Sequence, residues 1–177
     1  MNDQHLHFPI GHFQFQPPVS DAQRTSWIET IGQLPRRLRD LTSSRTSDEL
    51  EQTYRPGGWT VRQLIHHCAD SHMNAYLRVK FALTTDAPII MPYPEQLWAE
   101  LPDASQGDLR HSLLLLEGLH ARWEQTLRNL SEEQWQRIFV HPEQGKRYSI
   151  LEATGLYAWH SAHHTAHVQL ALNLPTS

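Results

Sequence analysis

The stretch Trp159-His160-Ser161-Ala162-His163-His164-Thr165-Ala166-His167 sets four imidazoles on a segment whose flanks read as a core helix. At 100° per residue the four histidines fall within about a quarter turn of one another. Ala153 and Leu156 lie on the same stripe before them, and Ala171 and Leu174 after them. A face that is apolar at both ends points into the protein. Buried polar groups without partners are costly, so these rings either hydrogen-bond one another and their surroundings or hold a metal.

Composition frames that helix. A chain of 177 residues suits one domain, 1–177, with a sizeable core. Histidine stands out, with 13 copies against 15 lysines and arginines together, while a net charge of −4 offers no basic surface to nucleic acid or an anionic membrane. Cys68 is the single cysteine, which excludes an internal disulfide. Met1 to Pro18 lacks the charged-then-apolar pattern of a secretion signal, and no stretch reaches the length of a membrane span. The expected location is the cytoplasm.

Capping-box pairs mark helix starts at Ser20 with Gln23, Thr60 with Gln63, and Ser149 with Glu152. After Ser20, the residues Trp27, Ile31, Leu34, Leu38 and Leu41 recur at helical spacing. Pro35 among them predicts a kink or local break near Gly32 to Leu34. Ser47 to Glu51 reads as one short extra turn, and Tyr54 to Trp59 as a turn into the second helix. That helix, Val61 to Leu83, has an apolar face (Val61, Leu64, Ile65, Cys68, Ala75, Tyr76, Val79, Leu83) and a polar stripe of His67, Ser71, Asn74 and Arg78.

Asp86 to Pro102 follows, a long connection holding four prolines, of the kind that covers a site or carries function. In the third helix Leu109, Leu113, Leu116, His120, Trp123, Leu127 and Leu130 form a heptad-like seam. Phe139 to Tyr148 reads as a loop or small hairpin before the last helix. The pattern predicts an all-α four-helix bundle with a long Pro-rich connection between helices 2 and 3.

His160 and His164 are four apart, so their rings can meet at one point, the usual helical half of a zinc or nickel site. A third ligand must come from another element. The second helix offers His66, His67 and His72, and periodicity does not choose among them: His72 lies closer to the apolar stripe, and His67 heads the polar one.

Two long segments resemble a known family. Gly57-Gly58-Trp59-Thr60-Val61-Arg62-Gln63-Leu64-Ile65-His66-His67-Cys68-Ala69-Asp70-Ser71-His72-Met73-Asn74 is similar to the second helix of the DinB/YfiT-like superfamily, and Gly155 to His167 to its fourth. Phe8-Pro9-Ile10-Gly11 and Leu119-His120-Ala121-Arg122-Trp123 extend the likeness over nearly the whole chain. The resemblance implies a metal held by His67, eight residues after Trp59, together with His160 and His164. It also implies an unusual four-helix bundle, one divalent metal per chain (zinc or nickel) and a homodimer. Members of this branch are described as metal-dependent hydrolases, and relatives transfer bacillithiol or other small thiols to electrophiles.

Three neutral ligands leave a metal its full charge, which acidifies a coordinated water or thiol, so the centre suits hydrolysis of a small molecule or thiol S-transfer. Asp70, one turn from His67, is the expected partner or base beside that ligand. Arg78, with Asn74, is the candidate contact for a carboxylate-bearing substrate, at most about 17 Å along the helix from His67. His163 and His167 are read as packing or hydrogen-bonding beside the site, and His120 as a satisfied core or supporting histidine. Cys68, Trp59, Trp123 and Trp159 are read as core, and His5, His7 and His12 as surface residues without helical register. The rival from another class is a non-catalytic metal or small-ligand binding bundle, which requires a closed shell and no cleft.

Overall fold

The three expected caps form in the computed structural model, which describes residues 3–143 and 145–176. Thr60 and Gln63 make the full reciprocal box. Ser20 and Ser149 each accept from the backbone N–H three residues on. The elements are α1 (Asp3–His7), α2 (Asp21–Thr42), α3 (Ser47–Leu50), α4 (Val61–Thr84), α5 (Glu95–Trp98), α6 (Pro102–Ser105), α7 (Leu109–Arg128), α8 (Glu132–Trp135), β1 (Ile138–His141), β2 (Lys146–Ser149) and α9 (Ile150–Ala171). The strands form the small antiparallel hairpin expected at Phe139 to Tyr148, pairing Phe139 with Tyr148. No helix among the described residues is long and apolar enough to cross a membrane.

Four long helices make the bundle. α2 packs on α7 and α9, and α4 packs on the same two, which sets α2 diagonally from α4 and α7 from α9. Only α4 and α7 are consecutive neighbours. Short loops would force sequential helices side by side. Here the segment 43–60 carries the chain across the bundle before α4, and α8 with the hairpin carries it across before α9.

The core splits into two apolar blocks. One joins Ile28, Val79, Trp123, Leu127 and Ile150, and the other joins Leu38, Leu64, Ile65, Leu116 and Val168. Each long helix gives one half to each block. His72 and His120, 0% and 1% exposed, occupy the middle of their helices, between residues of the two blocks. α9 is buried on nearly every side rather than along one stripe, as a helix enclosed by neighbours must be.

Two expectations are corrected. α2 runs unbroken through Pro35, with no break near Gly32 to Leu34. Proline has no N–H, so the carbonyl of Ile31, four residues back, loses its helical donor. His120 Nδ1 donates to that oxygen at 2.6 Å, which removes the penalty of an unpaired buried carbonyl. His5 and His7 do have helical register, on α1.

Candidate metal centre

α4 and α9 lie side by side, so rings from their facing surfaces converge. His67, His160 and His164 each offer a ligand atom within 4.8 Å of the others. His67 Nε2 and His160 Nε2 are 3.3 Å apart. Two nitrogens bound tetrahedrally at 2.0–2.1 Å would sit about 3.3–3.4 Å apart, so this spacing fits an edge of a zinc tetrahedron. Burial, with His167 as the lesser cause, pushes His67 down to about 4, and burial holds His160 and His164 well below the ordinary value. Neutral imidazole is the ligating form, so the donor set suits a divalent metal.

The other histidines of α4 separate cleanly. His66 faces α7, with Nδ1 2.7 Å from the Ser112 hydroxyl and Nε2 3.3 Å from the Gly107 carbonyl. His72 Nε2 is 3.1 Å from His160 Nδ1, behind the cluster rather than in it. On α9, His167 donates Nε2–H to the Leu6 carbonyl at 3.2 Å and turns Nδ1 to His164 Nδ1 at 3.4 Å. A second set of possible ligand atoms, His163, His164 and His167, shares His164 with the first. It lies on one helix and engages a ring already bonded to Leu6, whereas the first set joins two helices and borders a cavity.

That cavity, about 460 Å³, is lined by Ser71, Arg78, Tyr93, His141, Tyr157 and His160 among others. His160 is half-buried while His67 and His164 are buried, so the cluster opens toward it. The connection between α4 and α7 forms one wall, through Pro92 to Gln96, as a covering segment should. Hydrogen bonds from Ile90 N–H to the Val140 carbonyl (3.0 Å) and from Val140 N–H to the Pro88 carbonyl (2.9 Å) fasten it to β1. Arg78 Nη1 lies 3.4 Å from the Tyr157 hydroxyl. Burial raises the hydroxyls of Tyr93 and Tyr157 and the carboxyl of Glu95, keeping all three groups protonated longer than usual. His141 is lowered by burial, then by Arg78.

The structure does not bring every expected residue to the site. Asp70 makes no hydrogen bond to His67 among the described residues; its charged neighbour is Asp103, and burial followed by that charge raises it to about 6. The supporting histidine that the structure does show, His72, stands against a different member of the cluster, His160. Asn74 is not among the cavity-lining residues, because its amide turns back to the Asp70 carbonyl at 2.9 Å. Arg78 does line the cavity. Tyr93 and His141 escaped the sequence reading: each sits outside the long helices, where periodicity assigns no facing.

A family model, the DinB superfamily, matches residues 30–168. The chain belongs to the DinB superfamily. Among DinB relatives, "Putative metal-dependent hydrolase YfiT" of Bacillus subtilis is 43% identical over 168 residues, covering 95% of this chain and 94% of the relative. A protein of Oceanobacillus iheyensis with the same functional name is 48% identical over 161 residues, covering 91% and 92%. The solved YfiT structure, described as that of "a probable metal-dependent hydrolase with an unusual four-helix bundle topology", superposes with a TM-score of 0.91 at 41% identity, covering 97% of this chain and 99% of that one. In the bundle of this DinB chain the long helices follow a diagonal order, with only α4 and α7 both consecutive and adjacent.

Proposed function

We propose that this chain is a metal-dependent hydrolase of a small-molecule substrate, with His67, His160 and His164 holding one divalent metal, zinc or nickel. The observation that carries the reading is the convergence of three neutral imidazoles, one of which, His160, lines a 460 Å³ cavity. The names of its relatives support it. When bound, the metal supplies positive charge that lowers the pKa of a coordinated water or thiol. Arg78 binds a substrate carboxylate, and the Tyr93 and Tyr157 hydroxyls donate to a polar oxygen of the same molecule. Glu95 and His141, which line the same cavity from α5 and β1, exchange the proton in place of Asp70. The unit we assign is the whole of residues 1–177, working as a cytoplasmic homodimer. Leu77 and Phe81, one turn apart on α4 and 47% and 53% exposed, support pairing of two copies.

Arg78 favours a second reading, thiol S-transfer, because small thiols such as bacillithiol carry carboxylates that a guanidinium pairs well. A non-catalytic bundle requires a closed shell, which the adjoining cavity argues against. Elemental analysis of untagged protein, followed by assays on ester and amide panels with and without a thiol acceptor, tests all three. One metal per chain and chelator-sensitive hydrolysis without thiol supports the leading reading. Turnover only with thiol replaces it with S-transfer, and no turnover at full metal content replaces it with the binding module.

A further inference from the structure

One residue from each long helix joins in a single line that ends at His160. Pro35 strips the Ile31 carbonyl of its helical donor, and His120 of α7 fills the vacancy at 2.6 Å. A carbonyl only accepts, so the hydrogen of His120 sits on Nδ1 and its Nε2 is a bare lone pair. His72 Nδ1 of α4, 3.0 Å from that lone pair, must donate to it. The two rings are near-parallel at 10°, their centroids 4.9 Å apart. His72 Nε2 is therefore bare and accepts from His160 Nδ1 at 3.1 Å. That leaves the lone pair of His160 on Nε2, the atom facing His67. The reverse polarity is impossible, because it would need a hydrogen from the carbonyl oxygen.

We propose that Pro35, His120 and His72 are positioning residues, a relay that locks His160 as its Nδ1–H tautomer and aims its Nε2 lone pair at the metal. The proposal rests on the three-histidine metal reading. Metal-ligating histidines generally donate their second N–H to a carboxylate, a carbonyl or water. Here the carbonyl lies across the bundle, and two interposed imidazoles span the core to reach it. The polar line crosses between two apolar blocks with both ring nitrogens of His72 and His120 paired, so it carries no unsatisfied buried atom. On the second ligand, the bond from His167 to the Leu6 carbonyl acts by the same rule, leaving His164 Nδ1 as donor and Nε2 bare.

The test is nitrogen-15 NMR of histidine-labelled, metal-free protein, joined to zinc titration against a competing chelator. The expected spectrum shows His120, His72 and His160 all as Nδ1–H. In His120→Phe, which keeps an apolar ring in the core, His160 should lose its single tautomer and zinc should bind about 10–100-fold more weakly with one-to-one stoichiometry retained. An Nε2–H tautomer at His72 or His160 in the wild-type spectrum, which needs no variant to fold, overturns the relay. So does a His120→Phe protein with an unchanged His160 tautomer and zinc affinity. Wild-type protein that keeps the three Nδ1–H rings yet takes up no zinc overturns the metal reading instead.

Discussion

Trp59 lies against His67, their ring centroids 4.5 Å apart at a tilt of 42°. The tryptophan sits just before the N-cap Thr60 and packs on the apolar block that includes Leu64, four places into α4, as a hydrophobic staple does. One side chain thus fixes the entry of the helix and walls a proposed ligand from water. Trp59→Ala should lower stability by about 2 kcal/mol and weaken zinc binding by about 10-fold, whereas Trp59→Phe should keep most of both. Equal zinc affinity in Trp59→Ala, measured by chelator competition, would show that the ring is structural only.

Metal binding should be coupled to folding, because the cluster joins helices distant in sequence. At free zinc 1,000-fold above Kd the linkage is about 4 kcal/mol, or about 8–16 °C in Tm for a domain of this size. His67→Ala, His160→Ala and His164→Ala should each abolish that gain, and His66→Ala should keep it. A melting curve indifferent to chelator would place the site at the periphery or nowhere.

Replacing a helix-interior proline with alanine ordinarily gains about 3 kcal/mol. Pro35→Ala should gain less than about 1 kcal/mol, since the Ile31 carbonyl already accepts from His120. Denaturant unfolding reads the difference. A full gain would mean that the His120 bond contributes little.

His120 sets a pH dependence in the metal-free protein. Burial lowers it to about 4, while the Ile31 carbonyl and then Glu124 act the other way. Its folded pKa lies below the unfolded value near 6.5, so the unfolded chain takes the proton first. The stability is present above pH 6.5 and is lost as pH falls toward 4. Between those limits wild type should lose about 1.4 kcal/mol per pH unit more than His120→Phe. Parallel stability curves for the two proteins would contradict this.

Arg78→Ala should raise KM for an anionic substrate several-fold, leave KM for a neutral ester unchanged and leave metal content untouched. The side chain lines the cavity but belongs to neither set of possible ligands. Steady-state kinetics on a matched pair of substrates separates this from a general loss of fold, which would affect both.

The polar stripe of α4 shows where reading by pattern stops. His67, Ser71, Asn74 and Arg78 share helical spacing, and a polar stripe is ordinarily a solvated one. His67 and Ser71 are instead buried, at 4% and 5% exposure, because α9 and the covering connection pack over them. By pattern, His72 stood among the candidate third ligands and His120 as a core or supporting histidine, with nothing to join the two. Their pairing depends on two helices meeting at one height, which neither helix encodes alone.

Sequence alone determined what depends on local geometry. Caps and periodicity located the four long helices, and the four-residue spacing of His160 and His164 set their rings on one face, because both follow from the 3.6-residue turn. The hydrogen-bonding capacity of every ring and the missing N–H of Pro35 were also present in the chain. Tertiary structure decided which α4 histidine faces that pair, the diagonal order of the helices, the cavity beside His160 and the acceptor that Pro35 leaves for His120. Those depend on side chains from distant segments packing at one place, and a helical period sets the direction of a side chain without setting what it meets.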